Sequence, residues 1–137
     1  MIEPQNNKQA SIHKQHSNTH KLIDWQAIDT VLLDMDGTLL DLHFDNYFWL
    51  EHLPKRYAEH HKIDEELARS QLHRQIKQLE GTLQWYCLDH WSECVQMDIP
   101  ALKREISHKI QVRPHTQKFL QFLHAQHKKV ILVTNAH

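Results

Sequence analysis

Asp34 and Asp36 flank Met35 at the end of the apolar run Val31-Leu32-Leu33 and just before Gly37-Thr38. Two carboxylates this close can divide a displacement between them. One attacks as a nucleophile and forms a covalent intermediate, while the other donates and later accepts a proton. Gly37 permits the tight backbone turn that brings main-chain amides towards an anionic group. A plainer reading competes: an Asp-Gly step between apolar runs is the strongest short-range hairpin signal, and it would make Leu39-Leu40 the start of a partner strand. That reading leaves Asp34 without a task.

The elements that must position these residues favour chemistry. Thr30-Val31-Leu32-Leu33 is too short for a helix and lacks polar alternation, the pattern of a strand buried on both faces. Lys128-Lys129 lead into a second such run, Val130 to Val133, followed by Thr134-Asn135. Between Thr116 and Gln126 a short helix is predicted, with Thr116 as N-cap, Phe119, Leu120 and Leu123 on one face, and a basic C-terminal end. A helix followed by a buried strand is half a βαβ unit and predicts a parallel sheet covered by helices. Ligands bind at the carboxyl ends of the strands in such a sheet, which is where Asp34 and Thr134 both fall. The Thr134 hydroxyl and Asn135 amide can donate to phosphoryl oxygens there, and magnesium bridging Asp34 and a phosphate would offset the assembled negative charge.

From about Leu42 to Val112 the periodicity is helical throughout. Tyr47, Phe48 and Leu50 open one helix that Pro54 is expected to interrupt. Asp64 caps a second, with Leu67, Leu72, Ile76 and Leu79 inside and Gly81 as its stop. Trp85, Leu88, Trp91 and Val95 mark a third, and Asp98 caps a fourth with Leu102, Ile106 and Ile110. Aromatic residues at helical spacing are expected in a core, which leaves Tyr86, off the Trp85-Leu88-Trp91 stripe, as the candidate for stacking on a ligand. Asp45, Asn46 and Asp89 are further candidates to reach a substrate from this segment, and helix caps or surface charges explain them equally well.

The chain has 137 residues, with 16 Lys and Arg against 17 Asp and Glu, so its net charge of −1 offers no field for nucleic acid or an anionic membrane. No apolar run approaches the ~20 residues that span a bilayer. Two glycines cannot build a P-loop or a dinucleotide fingerprint. Residues 1–20 read as a polar, disordered tail without the apolar segment of a signal peptide, and Cys87 and Cys94 as reduced thiols of a cytoplasmic protein. The 14 histidines, including His13, His16 and His20 in the tail and the pair His60-His61, show no spacing that suits zinc.

Asp34-Met35-Asp36-Gly37-Thr38-Leu39-Leu40-Asp41 resembles the first motif of the haloacid dehalogenase-like hydrolases, and Val133-Thr134-Asn135 resembles their second. The resemblance implies an α/β fold: a partial Rossmann-like parallel-sheet core from residues 21–41 and 113–137, with an inserted α-helical cap domain of the first cap class from residues 42–112. It implies Asp34 as nucleophile, Asp36 as acid and base, and Mg2+ held by Asp34 and the Asp36 main-chain carbonyl. Gly37, Thr38, Thr134 and Asn135 become the phosphate-binding candidates. An acid at the position of Asp36 points to a phosphatase within that superfamily.

A narrower resemblance, to bacterial purine 5′-nucleotidases acting on GMP and IMP, rests on Phe44-Asp45-Asn46-Tyr47-Phe48-Trp49, the stretch Leu83 to Glu93, and the ending Thr134-Asn135-Ala136-His137. It implies a purine nucleoside 5′-monophosphate as substrate, with a sugar phosphate or phosphoglycolate as the alternative within the same chemistry. The family pattern continues with a lysine motif and an acidic metal motif after the second strand. Residues 1–137 contain neither, and Lys128 and Lys129 precede that strand at its opposite end. The expectation is a weakly active or inactive piece of such an enzyme, or a noncatalytic piece whose helical bundle binds a partner.

Overall fold

The computed structural model describes residues 23–135. The tail expected over residues 1–20, its histidines, and Ala136 and His137 lie outside the described residues. After a 3-10 turn at Trp25–Ala27 come strand β1 (Thr30–Leu33), helices α1 (His43–Tyr47), α2 (Leu53–His61), α3 (Glu65–Leu79), α4 (Leu88–Val95), α5 (Ile99–Glu105) and α6 (Thr116–Ala125), and strand β2 (Lys129–Leu132). The strands pair in parallel, Thr30 opposite Lys129 and Leu33 opposite Leu132. The Val133 amide extends the ladder by donating to the Leu33 carbonyl at 2.7 Å. Parallel neighbours need a crossover, and here it carries all six helices.

The strands are not buried on both faces. Leu33 is 7% exposed, but Leu32 is 64% exposed and every residue of β2 is open. Successive side chains of a strand point to opposite faces, and among the described residues Leu33 is the one strand residue that is buried. Helix α6 lies against β2, and Trp25 sets its ring edge-on to Phe119 and Phe122 of α6 at 6.0 and 5.3 Å between centroids.

The main core lies instead among α1 to α5, where Phe48, Leu53, Leu72, Trp91, Val95 and Ile99 are buried together. Asp64 and Asp98 cap as the sequence predicts: Asp64 accepts from the Glu66 amide at 2.9 Å, and Asp98 from the Ala101 amide at 2.8 Å. Leu67, expected inside, is exposed, and the buried stripe of α3 runs through Ala68 and Leu72. No break occurs at Pro54. The chain passes from α1 through one π-turn, Phe48–His52, into α2, and Pro54 sits in the first turn of α2, where a missing N–H costs least. Pro54 has no N–H for the carbonyl of Leu50 four residues back, and the Arg69 guanidinium from α3 donates to that carbonyl.

Two helices start at other residues than their pattern suggests. Trp85 belongs to a 3-10 turn, Leu83–Tyr86, and its carbonyl accepts the Trp91 indole N–H at 2.9 Å, with α4 beginning at Leu88. Thr116 does not cap α6. His115 holds the cap position at a φ of 69°, and the Thr116 hydroxyl donates to the Leu39 carbonyl at 3.1 Å. This long-range bond replaces the local one. Helix α5 ends at Glu105, so Ile110 follows a further 3-10 turn at Ser107–Lys109 and is half-exposed. Among the described residues no helix is long and apolar enough to cross a membrane.

Candidate active site

The chain leaving β1 does not fold back on it as a hairpin. The Met35 carbonyl accepts from the amides of Leu39 and Leu40, both at 2.9 Å, closing a tight turn around Gly37. Gly37 has a φ of +75°, in the left-handed region, and a Cβ there would stand 3.4 Å from the Leu42 side chain. Leu40 then bridges antiparallel to Val112. The Asp41 amide donates to the Gln111 carbonyl at 3.0 Å, the Arg113 amide to the Leu39 carbonyl at 2.9 Å, and the Arg113 guanidinium to the Gly37 carbonyl. The turn carrying the two acids is thus strapped to the segment that enters α6.

Asp34 and Thr134 follow paired strands at the same end, and Asp34, Asp36, Thr134, Asn135 and Tyr86 all line one cavity of about 870 Å³. A pocket of that size holds a nucleotide-sized ligand. Asp45 and Asn46 of α1 reach it too. Gly37, Thr38 and Asp89 do not line it. Lys129 pairs with Thr30 at the far end of the strands from Asp34.

Burial raises the Asp36 carboxyl above the ordinary 3.8, the negative charges of Asp45 and Asp34 push the same way, and Lys103 opposes them. A carboxyl so placed keeps its proton to higher pH, as a general acid requires. The oxygens around it are hard donors. Among the described residues no three or more His, Cys, Asp or Glu side chains are grouped to hold a metal, and the cavity lining offers the carboxylates of Asp34 and Asp36. This set fits Mg2+, which is usually held by one or two carboxylates with water and substrate phosphate completing its shell.

Lys103 and Arg104, at the end of α5, also line the cavity and were not singled out by the sequence reading. The Lys103 ammonium lies 2.8 Å from Asp45 Oδ1 and 5.4, 5.3 and 5.8 Å from the ring centroids of Phe44, Phe48 and Trp49. A signal existed: Ile99, Leu102, Lys103 and Ile106 occupy positions i, i+3, i+4 and i+7, and a cation within an apolar stripe calls for a partner.

The description of haloacid dehalogenase-like hydrolases matches residues 28–137. The chain belongs to the haloacid dehalogenase-like hydrolases. It is 46% identical over 118 residues to the GMP/IMP nucleotidase YrfG of Escherichia coli K12, an overlap of 86% of this chain and 53% of that protein. The Shigella flexneri protein of the same name matches to the same extent. The chain therefore spans about half the length of the curated relatives it matches. The fold of a haloacid dehalogenase-like hydrolase is also seen in the crystal structure of a HAD phosphatase from Thermococcus onnurineus, which superposes with a TM-score of 0.68 at 23% identity over 80% of this chain and 52% of that one.

Proposed function

We propose that this site serves the hydrolysis of a phosphate monoester through an aspartyl-phosphate on Asp34, with a purine nucleoside 5′-monophosphate such as GMP or IMP as substrate. The observation that carries the reading is the convergence of Asp34 and Asp36 with Thr134 and Asn135 on one cavity at the carboxyl end of two parallel strands. The choice of substrate rests on the relatives named for GMP and IMP.

Asp34 attacks phosphorus, and the bond from phosphorus to the ester oxygen breaks as Asp36 passes its proton to that oxygen. Asp36, now a carboxylate, takes a proton from the water that attacks the aspartyl-phosphate, releasing phosphate and restoring both side chains. Thr134 and Asn135 donate to the phosphoryl oxygens. Asp34 and the Asp36 carbonyl would hold Mg2+, which would supply positive charge to offset that of the phosphate. Residues 42–112 act as the cap, closing the cavity from above and contributing Tyr86 and the α1 and α5 side chains to substrate recognition.

The test is magnesium-dependent phosphate release by the purified chain from GMP, IMP, glucose 6-phosphate and phosphoglycolate. Slow turnover that favours the two nucleotides and vanishes in Asp34→Asn is the expected result. Faster release from the sugar phosphate or phosphoglycolate would move the substrate to the alternative class. Release that survives Asp34→Asn would remove the aspartyl-phosphate.

A further inference from the structure

The ion pair between Asp45 and Lys103 stands inside the cavity and has no part in the displacement at Asp34. Both side chains are largely enclosed, 24% and 21% exposed. The ammonium is held over Phe44, Phe48 and Trp49. Such a cradle fixes a side chain that is otherwise mobile, at the cost of enclosing two charges. A surface pair joining α1 to α5 would need neither the rings nor the cavity.

The chemistry of the pair is specific. Lys103 carries three N–H donors, of which the bond to Asp45 takes one, and Asp45 presents carboxylate oxygens that only accept. Together they set a donor beside an acceptor. Guanine and hypoxanthine share an edge with the complementary order, the O6 acceptor next to the N1–H donor, whereas adenine reverses it with an N6 amino donor next to an N1 acceptor. Resting on the reading that the substrate is a purine 5′-monophosphate, we infer that the Asp45–Lys103 pair reads the 6-oxopurine edge, Lys103 donating to O6 and Asp45 accepting from N1–H. Adenine would set its amino group against the ammonium and its N1 acceptor against the carboxylate. Sites built to bond a substrate group reject analogues that leave their own polar groups unpaired. Trp85 and Tyr86 line the same cavity and supply flat surfaces for the base.

The pair can be tested by binding, which does not depend on turnover. Trp49 and Trp85 line the cavity, so tryptophan fluorescence of the purified 137-residue chain reports its occupancy. GMP, IMP, AMP and inorganic phosphate are titrated against the wild type, Lys103→Met, which keeps the apolar stem over the rings, and Lys103→Arg, which keeps donors and charge. The wild type is expected to bind GMP and IMP about tenfold or more tighter than AMP, the discrimination of one good paired contact. In Lys103→Met the two 6-oxopurines weaken to the level of AMP while AMP changes less than about twofold, and Lys103→Arg restores part of the preference. Circular dichroism and melting confirm that each variant is folded. Equal weakening of GMP, AMP and inorganic phosphate would make Lys103 a phosphate ligand and overturn the inference, as would unchanged binding in a folded Lys103→Met. A wild type that binds GMP and AMP equally overturns it too while leaving the purine reading intact. No nucleotide binding at all overturns both.

Discussion

Asp36 holds its proton to higher pH than an ordinary carboxyl because burial and the charges of Asp45 and Asp34 outweigh the pull of Lys103. The linkage has a definite sign. A carboxyl raised on folding contributes stability that is fully present below its unfolded value and is lost as pH rises through its folded value. Asp36→Asn removes that loss. In EDTA at pH 7 the variant is therefore expected to melt above the wild type, with the difference closing as the pH falls below the ordinary 3.8. Thermal melts at several pH values decide it, and a wild type that is the more stable at pH 7 would show the Asp36 charge to be satisfied on folding. At this scale the sequence was most informative where chemistry is local. Asp34, Asp36, Thr134 and Asn135 sit in short motifs at strand ends and come together as expected. Lys103 and Arg104 were missed because their meaning depends on which helix faces the cavity, and Asp45 lies 58 positions from Lys103 along the chain. Thr38 was counted with its motif and is exposed outside the cavity lining.

Helices in this chain are set as much by long-range bonds as by propensity. The caps at Asp64 and Asp98 need nothing beyond their own first turn and were legible in full. Pro54 was not, because the side chain that answers the Leu50 carbonyl, Arg69, lies on another helix. Arg69 also reaches Glu51 at 3.2 Å and Glu65 at 3.0 Å, on the two helical segments it joins. Exposed ion pairs contribute about 0–1 kcal/mol, and a hydrogen bond from a charged donor about 1.5–3 kcal/mol. Arg69→Met is therefore expected to destabilise the chain by about 2 kcal/mol in urea, and Glu65→Gln by under about 0.5 kcal/mol. Equal costs would mean that the ion pairs rather than the carbonyl carry the effect. Thr116 follows the same logic, its local capping role displaced by the bond to Leu39. Trp85 falls outside α4 because its carbonyl is committed to the Trp91 indole.

Across the whole molecule the well-packed part and the site-bearing part differ. The core around Phe48, Leu72 and Trp91 belongs to the helices, whereas Val130, Ile131, Leu132 and Val133 are 36–55% exposed on the strand that leads to Thr134. Their apolar pattern announced a parallel sheet and a two-sided burial, and the described residues leave both sides of this strand open. Open apolar strands with unpaired edges associate with other chains. The purified chain is expected to self-associate at micromolar concentration, and Ile131→Lys to lower its weight-average mass in light scattering. A monomer in both cases would count against an adhesive sheet. The register that pairs Thr30 with Lys129 joins positions on the order of a hundred residues apart, so closing that loop forfeits chain entropy before any strand contact repays it. The helices between have nearby partners and can consolidate first. Asp34 and Thr134 come to one cavity only when the strands pair, so the cavity is completed by the contact that closes the longest loop of the chain.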